Sequence, residues 1–305
     1  MKFAIFGAGG VGGYFGGRLA QAGENVTFIA RGAHLAAITE AGLRVDSIEG
    51  DFLIKPVKAT DSPESIDPAD VVILAVKAWQ LQESLGQLRS LIKNETVLLP
   101  LLNGVDHIDL LRSEFGDEHL LVGLCRISSF VAGPGHVKHV GIRPYIAFGE
   151  LDNRKSARVD ALHKVFKKLS GVLAEVPADI ELALWEKFLM ICAFSGVGAV
   201  TRQPVGVFRA VPETRNMFRR ALEEVVAVAN TRGIALTQDS VQNVMKRLDS
   251  IQPDTLASMQ KDIMEGRPSE LESQTGVLVR MGRTLDVSTP THEFIYASLL
   301  CYKHL

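Results

Sequence analysis

The sequence predicts an α/β doubly wound parallel sheet in the first part of the chain and an all-α C-terminal domain after it. Three observations predict this. Residues Lys2 to Phe6 form an apolar strand that runs straight into a glycine-rich turn, Gly7-Ala8-Gly9-Gly10-Val11-Gly12. Short apolar runs then alternate with helix-like stretches. Near Pro177 the pattern becomes helical almost without a break.

The turn has the spacing G-x-G-x-x-G, with a strand before it and a helix-like stretch, Gly13 to Ala22, after it. In a Rossmann-type crossover each glycine has a separate reason. Gly7 permits the tight turn, Gly9 lets backbone approach a pyrophosphate, and Gly12 lets the helix pack closely on the strand. The free N–H groups and positive end of that helix then face phosphate. Ala8, Gly10 and Val11 complete the cradle. A second strand, Asn25 to Ala30, ends at Arg31. NAD-preferring sites place Asp or Glu about 20 residues beyond the glycines. This strand has no carboxylate at its tip; Glu24 stands at its start. A guanidinium is a planar fork suited to a 2′-phosphate, so the expected cofactor is NADP(H). The plainer reading leaves Arg31 as a solvated loop residue.

Further strands are expected at Asp70–Val76 and Thr96–Leu102, continuously apolar as in a sheet covered on both faces. Two more follow at Leu120–Leu124 and Tyr145–Gly149, with a Gly133-Pro134-Gly135 turn between them. Pro212 to Arg232 carries the apolar stripe of an amphipathic helix and stops at Gly233, a typical cap. Helical stretches are also read at Gln238–Ser250, Thr255–Glu265, Glu270–Arg283 and from about Pro290 onward. The expected division is 1-178 for the NADP-binding domain and 179-305 for the helical substrate domain.

Length and composition agree with two packed domains: 305 residues, 47% hydrophobic and 22% charged. A net charge of −2 gives no reason to expect a nucleic acid or anionic membrane partner. Cys125, Cys192 and Cys301 are scattered, without metal-site or disulfide spacing, which suits a reducing compartment. The start of the chain reads as strand and turn rather than leader, so a cytoplasmic protein with no metal is expected, as a monomer or homodimer.

Ketone reduction needs a held hydride donor, a proton donor and groups that grip the substrate. Lys77 follows a buried strand at the rim where ligands bind, although it also reads as a loop lysine. Asn103 could hydrogen-bond ribose or substrate, or simply form an Asn-Gly turn. Lys187, between Trp185 and Phe188 in an apolar helix, could be a desolvated proton donor or a snorkelling side chain. Ser258 and Asp262 are four apart on one helical face. Ser269-x-x-Glu272 also reads as a capping box, which would put Glu270 in a first turn.

Taken together, the glycine turn, Arg31, Val76-Lys77-Ala78-Trp79-Gln80, Leu102-Asn103-Gly104-Val105, Trp185-x-Lys187, Ser258-Met259-x-x-Asp262 and Ser269-Glu270-Leu271-Glu272 resemble the ketopantoate reductase family in residue and order. The resemblance covers essentially the whole chain. It implies NADPH-dependent reduction of 2-dehydropantoate to pantoate. By position it makes Arg31 the 2′-phosphate contact, and Lys77 and Asn103 cofactor-side groups. It makes Lys187 the proton donor, Ser258 a substrate-carboxylate contact, and Glu270 a carboxylate orienting substrate or lysine. Asn103 and Ser195 are the further substrate contacts expected. Asparagines common in the family four and eight residues after the lysine are replaced by Ile191 and Ser195, and Thr255 stands where another is frequent. These departures leave open another branched 2-oxo acid as substrate, or an NADPH-binding sensor without catalysis.

Overall fold

The computed structural model describes residues 1–302. The chain divides into two compact units, one of Met1–Leu102 with His107–Ile180, the other of Asn103–Asp106 with the chain from Glu181 onward.

The first unit contains strands β1 (Lys2–Phe6), β2 (Asn25–Ile29), β3 (Leu43–Ser47), β4 (Phe52–Ile54), β5 (Lys58–Thr60), β6 (Val71–Leu74), β7 (Val97–Pro100), β8 (Val122–Gly133), β9 (His136–Gly149) and β10 (Leu173–Glu175). Its helices are α1 (Gly10–Gln21), α2 (Gly32–Ala41), α3 (Leu81–Leu91), α4 (Asp106–Phe115, entered from the Asn103–Asp106 segment) and α5 (Ala157–Phe166). The first sheet is parallel throughout, in the order β5-β2-β1-β6-β7. Side chains alternate across β1. Phe3 and Ile5 enter one core with Tyr14, Phe15 and Leu19, while Ala4 and Phe6 enter another with Val72, Leu85 and Leu88. Burial on both faces is why these strands read as unbroken apolar runs.

A second, mixed sheet was not apparent in the sequence. It runs β10-β9-β3-β4, and β8 pairs antiparallel with β9. The runs expected at Leu120–Leu124 and Tyr145–Gly149 therefore do not extend the doubly wound sheet. Leu120 makes a single parallel bridge to Leu98, and two residues later the chain enters the second sheet as β8. Helix α1 lies between the sheets. A Cβ on Gly16 would strike Ile5 and Phe28 of the first sheet, and one on Gly13 would strike Val137 of the second.

The second unit is helical: α6 (Ile180–Thr201), α7 (Val205–Ala210), α8 (Pro212–Thr231), α9 (Gln238–Ser250), α10 (Ser258–Met264), a π-turn at Glu272–Gly276, α11 (Val277–Thr284) and α12 (Pro290–Leu300). Helix α6 is long and apolar enough to cross a bilayer, yet 67% of its most apolar window is buried within the fold. It is apolar all round because it is a core helix. Helix α8 stops where the sequence suggests, with Gly233 at φ +86°. The helix expected over Glu270–Arg283 starts instead as a π-turn. Leu271 precedes it without a side-chain cap, so the capping-box reading of Ser269 does not hold.

Candidate active site

The glycine turn shows what each glycine is for. Gly7 has φ +100°, a conformation that side chains resist. A Cβ on Gly12 would lie 2.0 Å from the Gly7 carbonyl oxygen, so only glycine lets α1 come this close to β1. At Gly9, by contrast, an added Cβ would meet nothing within 4 Å. Gly9 caps α1 with backbone alone, since no side chain satisfies the first N–H groups of the helix. Ala8 is buried and Gly10 and Val11 are half-buried. Open space beside a helix terminus with free N–H groups fits a pyrophosphate.

Arg31 is exposed at the residue preceding α2, and its guanidinium donates to Gln87 Oε1 of α3. Lys77 is exposed just beyond β6, with extended backbone, and its N–H donates to Gln80 Oε1 at 3.1 Å. Both therefore stand at carboxyl ends of parallel strands, where open α/β sheets bind ligands.

A second cluster lies in the helical unit. Asn103, which the sequence places at the end of a sheet strand, groups with this unit. Its Nδ2 donates to Glu270 Oε2 at 2.9 Å, joining residues 167 positions apart. Gln274 Nε2 donates to the same oxygen at 3.3 Å. Glu270 is 3% exposed, and it precedes a π-turn rather than standing in the first turn of a capped helix. The π-turn begins two residues later, at Glu272, and turns of this kind recur at functional sites. The only sequence signal for Gln274 is its spacing, four residues after Glu270.

Lys187 sits in the core helix α6 and is 8% exposed. Trp185 and Phe188 beside it are almost completely buried, with rings 5.5 Å apart and near perpendicular. A lysine on a buried helix, flanked by aromatics, is not placed as a surface lysine. Ile191 and Ser195 follow one and two turns later on the same face, half-buried and 4% exposed respectively. Ser258 is exposed in the first turn of α10. Asp262 is buried instead and accepts two hydrogen bonds from Arg267, at 2.9 and 3.1 Å. Ser258 and Asp262 thus face different surroundings. Thr255 is half-buried, and its carbonyl accepts from Val205 N–H at 3.0 Å.

A third buried group was not anticipated. His292 Nδ1 lies 2.7 Å from Glu224 Oε2, and its Nε2 lies 3.4 Å from Cys192 Sγ. This arrangement of thiol, imidazole and carboxylate does not make a nucleophile. Complete burial, with the Glu224 charge nearby, drives the Cys192 pKa far up, so the thiol keeps its proton. Glu224 is structural, accepting from the backbone N–H groups of Thr291 at 2.7 Å and His292 at 3.0 Å. Leucine at 224 would leave the buried His292 ring and N–H and the half-buried Thr291 N–H unpaired, and should cost about 3–5 kcal/mol in thermal unfolding. Burial pushes the Glu224 pKa up, but hydrogen bonds from His292 and Thr291 outweigh it and hold it low. A lowered carboxylate stabilises above its ordinary pKa and ceases to do so as pH falls through the folded-state value. The stability advantage of wild type over Glu224→Leu should therefore shrink as pH drops below 4.5.

Comparison with known proteins agrees with this geometry. The model of the ketopantoate reductase PanE/ApbA family matches residues 3–153, and that of its C-terminal domain matches residues 179–302. The chain is 31% identical to the uncharacterized oxidoreductase YkpB of Bacillus subtilis, over 99% of both sequences. It is 29% identical to a 2-dehydropantoate 2-reductase of Mesorhizobium japonicum, covering 97% of this chain and 96% of the relative. The crystal structure of 2-dehydropantoate 2-reductase from Geobacter metallireducens superposes with a TM-score of 0.92 at 32% identity, covering 98% of this chain and 99% of that one. D-mandelate dehydrogenase, solved with NADH and anilino(oxo)acetate, superposes at 0.88 with 27% identity, covering 100% and 99%. The Rossmann-type sheet, the helical domain after it and both family matches lead to one conclusion: this chain belongs to the ketopantoate reductase family of oxidoreductases.

Proposed function

We propose that the protein is an NADPH-dependent reductase of a 2-oxo acid, with 2-dehydropantoate as substrate and pantoate as product. The observation that carries this reading is the burial of Lys187 on α6, in the same unit as the Asn103–Glu270 pair. When bound, NADPH supplies the hydride that reduces the C2 ketone. Lys187 donates a proton to the ketone oxygen and stabilises the negative charge developing there. Glu270 is held at one oxygen by Asn103 and Gln274, and so presents a fixed carboxylate to orient substrate or lysine. Ser195 and Ser258 would hydrogen-bond the substrate. Gly7 through Gly12 hold the pyrophosphate, and Lys77 and Asn103 contribute on the cofactor side.

Arg31 is the expected grip on the 2′-phosphate. A charge-assisted hydrogen bond contributes about 1.5–3 kcal/mol, and an exposed arginine belongs at the lower end. Arg31→Ala should weaken NADPH binding about tenfold and leave NADH binding nearly unchanged, as measured by fluorescence titration. Equal losses for both would remove the 2′-phosphate role.

A second reading keeps the chemistry and changes the substrate. Ile191, half-buried on the face that carries Lys187 and Ser195, offers no hydrogen bond and favours an apolar substituent. The likeness to D-mandelate dehydrogenase supports the same alternative. Rates of NADPH oxidation with ketopantoate, branched 2-oxo acids and aryl 2-oxo acids separate the two. The highest kcat/KM for ketopantoate supports the main reading, and a better aryl or branched substrate supports the second. No turnover across the panel would favour a catalytically silent NADPH sensor and defeat both.

A further inference from the structure

None of the roles above uses His34, a half-buried side chain near the start of α2. Its ring is held at both nitrogens. The backbone N–H of Gly135, in the turn between β8 and β9, donates to Nδ1 at 3.1 Å. A peptide N–H can only donate, so Nδ1 is the bare nitrogen and the proton of the neutral ring sits on Nε2. That Nε2–H donates to the Ala8 carbonyl oxygen at 2.9 Å. The ring therefore ties the glycine turn to the β8–β9 turn. The far side is anchored too: the Gly135 carbonyl accepts from Arg44 N–H at 2.9 Å, and a Cβ on Gly135 would lie 3.1 Å from Ala37 of α2.

Burial disfavours a second proton on the ring, against the opposing pull of the Ala8 carbonyl. The glycine turn carries no ionisable side chain. On the other elements that His34 touches, such chains are Arg31 and Glu40, before and within α2, and His136, which pairs with Asp46 beside Gly135.

What matters is the group that shares a peptide plane with the Ala8 carbonyl. In a trans peptide the C=O and the following N–H point in opposite directions. Holding the Ala8 oxygen therefore fixes the N–H of Gly9, the residue with open space beside it. Glycine imposes little resistance to rotation of that peptide, so the restraint must come from outside the turn. We propose that His34 is a positioning residue for dinucleotide binding, holding the Ala8–Gly9 peptide so that the Gly9 N–H is pre-aligned for a pyrophosphate oxygen. The proposal rests on the reading of this turn as a dinucleotide cradle. It also predicts a signature unlike that of Arg31, because NADPH and NADH share the pyrophosphate.

The test titrates NADPH and NADH separately into wild type, His34→Ala and His34→Gln. His34→Ala should weaken both dinucleotides about five- to tenfold, the effect of one lost hydrogen bond, while kcat at saturating cofactor stays within about twofold. Glutamine can still donate to the Ala8 oxygen through its amide, so His34→Gln should bind within about twofold of wild type. Unchanged binding in His34→Ala would overturn the proposal. So would a loss confined to NADPH, which would place the ring at the 2′-phosphate, or a glutamine variant as weak as the alanine one. Should His34→Ala fail to fold, His34→Leu supplies similar bulk without the hydrogen bonds.

Hydrogen exchange of the cofactor-free protein separates this claim from the cofactor reading. The backbone of residues 6–12 should exchange faster in His34→Ala and return to the wild-type rate in His34→Gln. If exchange responds this way but the wild type binds neither dinucleotide, the cradle reading falls while the clamp stands. Unaltered exchange would remove the clamp whatever the binding data show.

Discussion

Replacing Lys187 by alanine is expected to lower kcat about 10²–10⁴-fold, the usual contribution of a positioned general acid. NADPH affinity should stay within about twofold, because the proposed role puts the lysine at the ketone oxygen and assigns the pyrophosphate to other residues. The geometry gives the prediction its force. Lys187 is 8% exposed on a helix whose neighbouring aromatic rings are sealed in the core. Keeping an ammonium there is costly unless it has work to do or strong partners. Steady-state kinetics beside cofactor titration checks the outcome. Near-normal kcat in a folded variant would remove Lys187 from the chemistry, and a parallel loss of NADPH binding would make it a cofactor contact instead.

The second large effect contrasts two glycines that differ in role though only three residues apart in sequence. Gly12→Ala places a methyl group 2.0 Å from the Gly7 carbonyl oxygen and 2.9 Å from Ile5 Cγ2. Backbone on one side and a packed strand on the other leave no room to yield, so α1 must move off β1. Overpacking of this kind costs about 1–3 kcal/mol or more. The expected result is a melting temperature lower by roughly 2–10 °C. Gly9→Ala meets no atom within 4 Å, and its melting temperature should be close to wild type. Its methyl group would instead occupy the approach for the pyrophosphate and weaken both NADPH and NADH about tenfold or more. Calorimetric melting with cofactor titration checks the pair. A stable Gly12→Ala variant, or a Gly9→Ala variant with normal binding, would contradict these roles.

These contrasts also show which parts of the molecule a sequence can disclose. The glycine turn was legible because its constraints are local: a strand, a tight turn and a helix within a dozen residues. Helix α8 was legible for the same reason, as its stripe and the Gly233 just past its C-cap lie within one short stretch of sequence. The second sheet was not. Only the outer ends of the β8–β9 hairpin are continuously apolar, and these ends mimic parallel-sheet strands. Its middle carries polar residues: Arg126 and Ser128 pair across the hairpin with Tyr145 and Val140, while Lys138 and His139 also pair with Asp46 and Ser47 of β3.

The site divides along the same line. Residue types were readable at Lys187 and Arg31, where an unusual neighbour or an expected carboxylate's absence signals a role. Partnerships were not. Asn103 looks like any Asn-Gly turn until Glu270, 167 positions later, accepts its amide proton. Glu270 reads as a first-turn helix residue because Ser269 and Glu272 imitate a cap, whereas the chain forms a π-turn and buries the carboxylate. His34 gave no signal at all, since both of its partners are backbone groups, at Ala8 and Gly135.

The central claim is that hydride passes from NADPH to the C2 ketone of a 2-oxo acid while Lys187 protonates the oxygen. The most direct measurement uses NADPH carrying deuterium at the transferable nicotinamide position, ketopantoate as substrate, and mass spectrometry of the product. The account predicts pantoate with one deuterium, located at C2, formed in step with cofactor oxidation. Oxidation of the cofactor without deuterium at C2 of a 2-hydroxy acid product would contradict it.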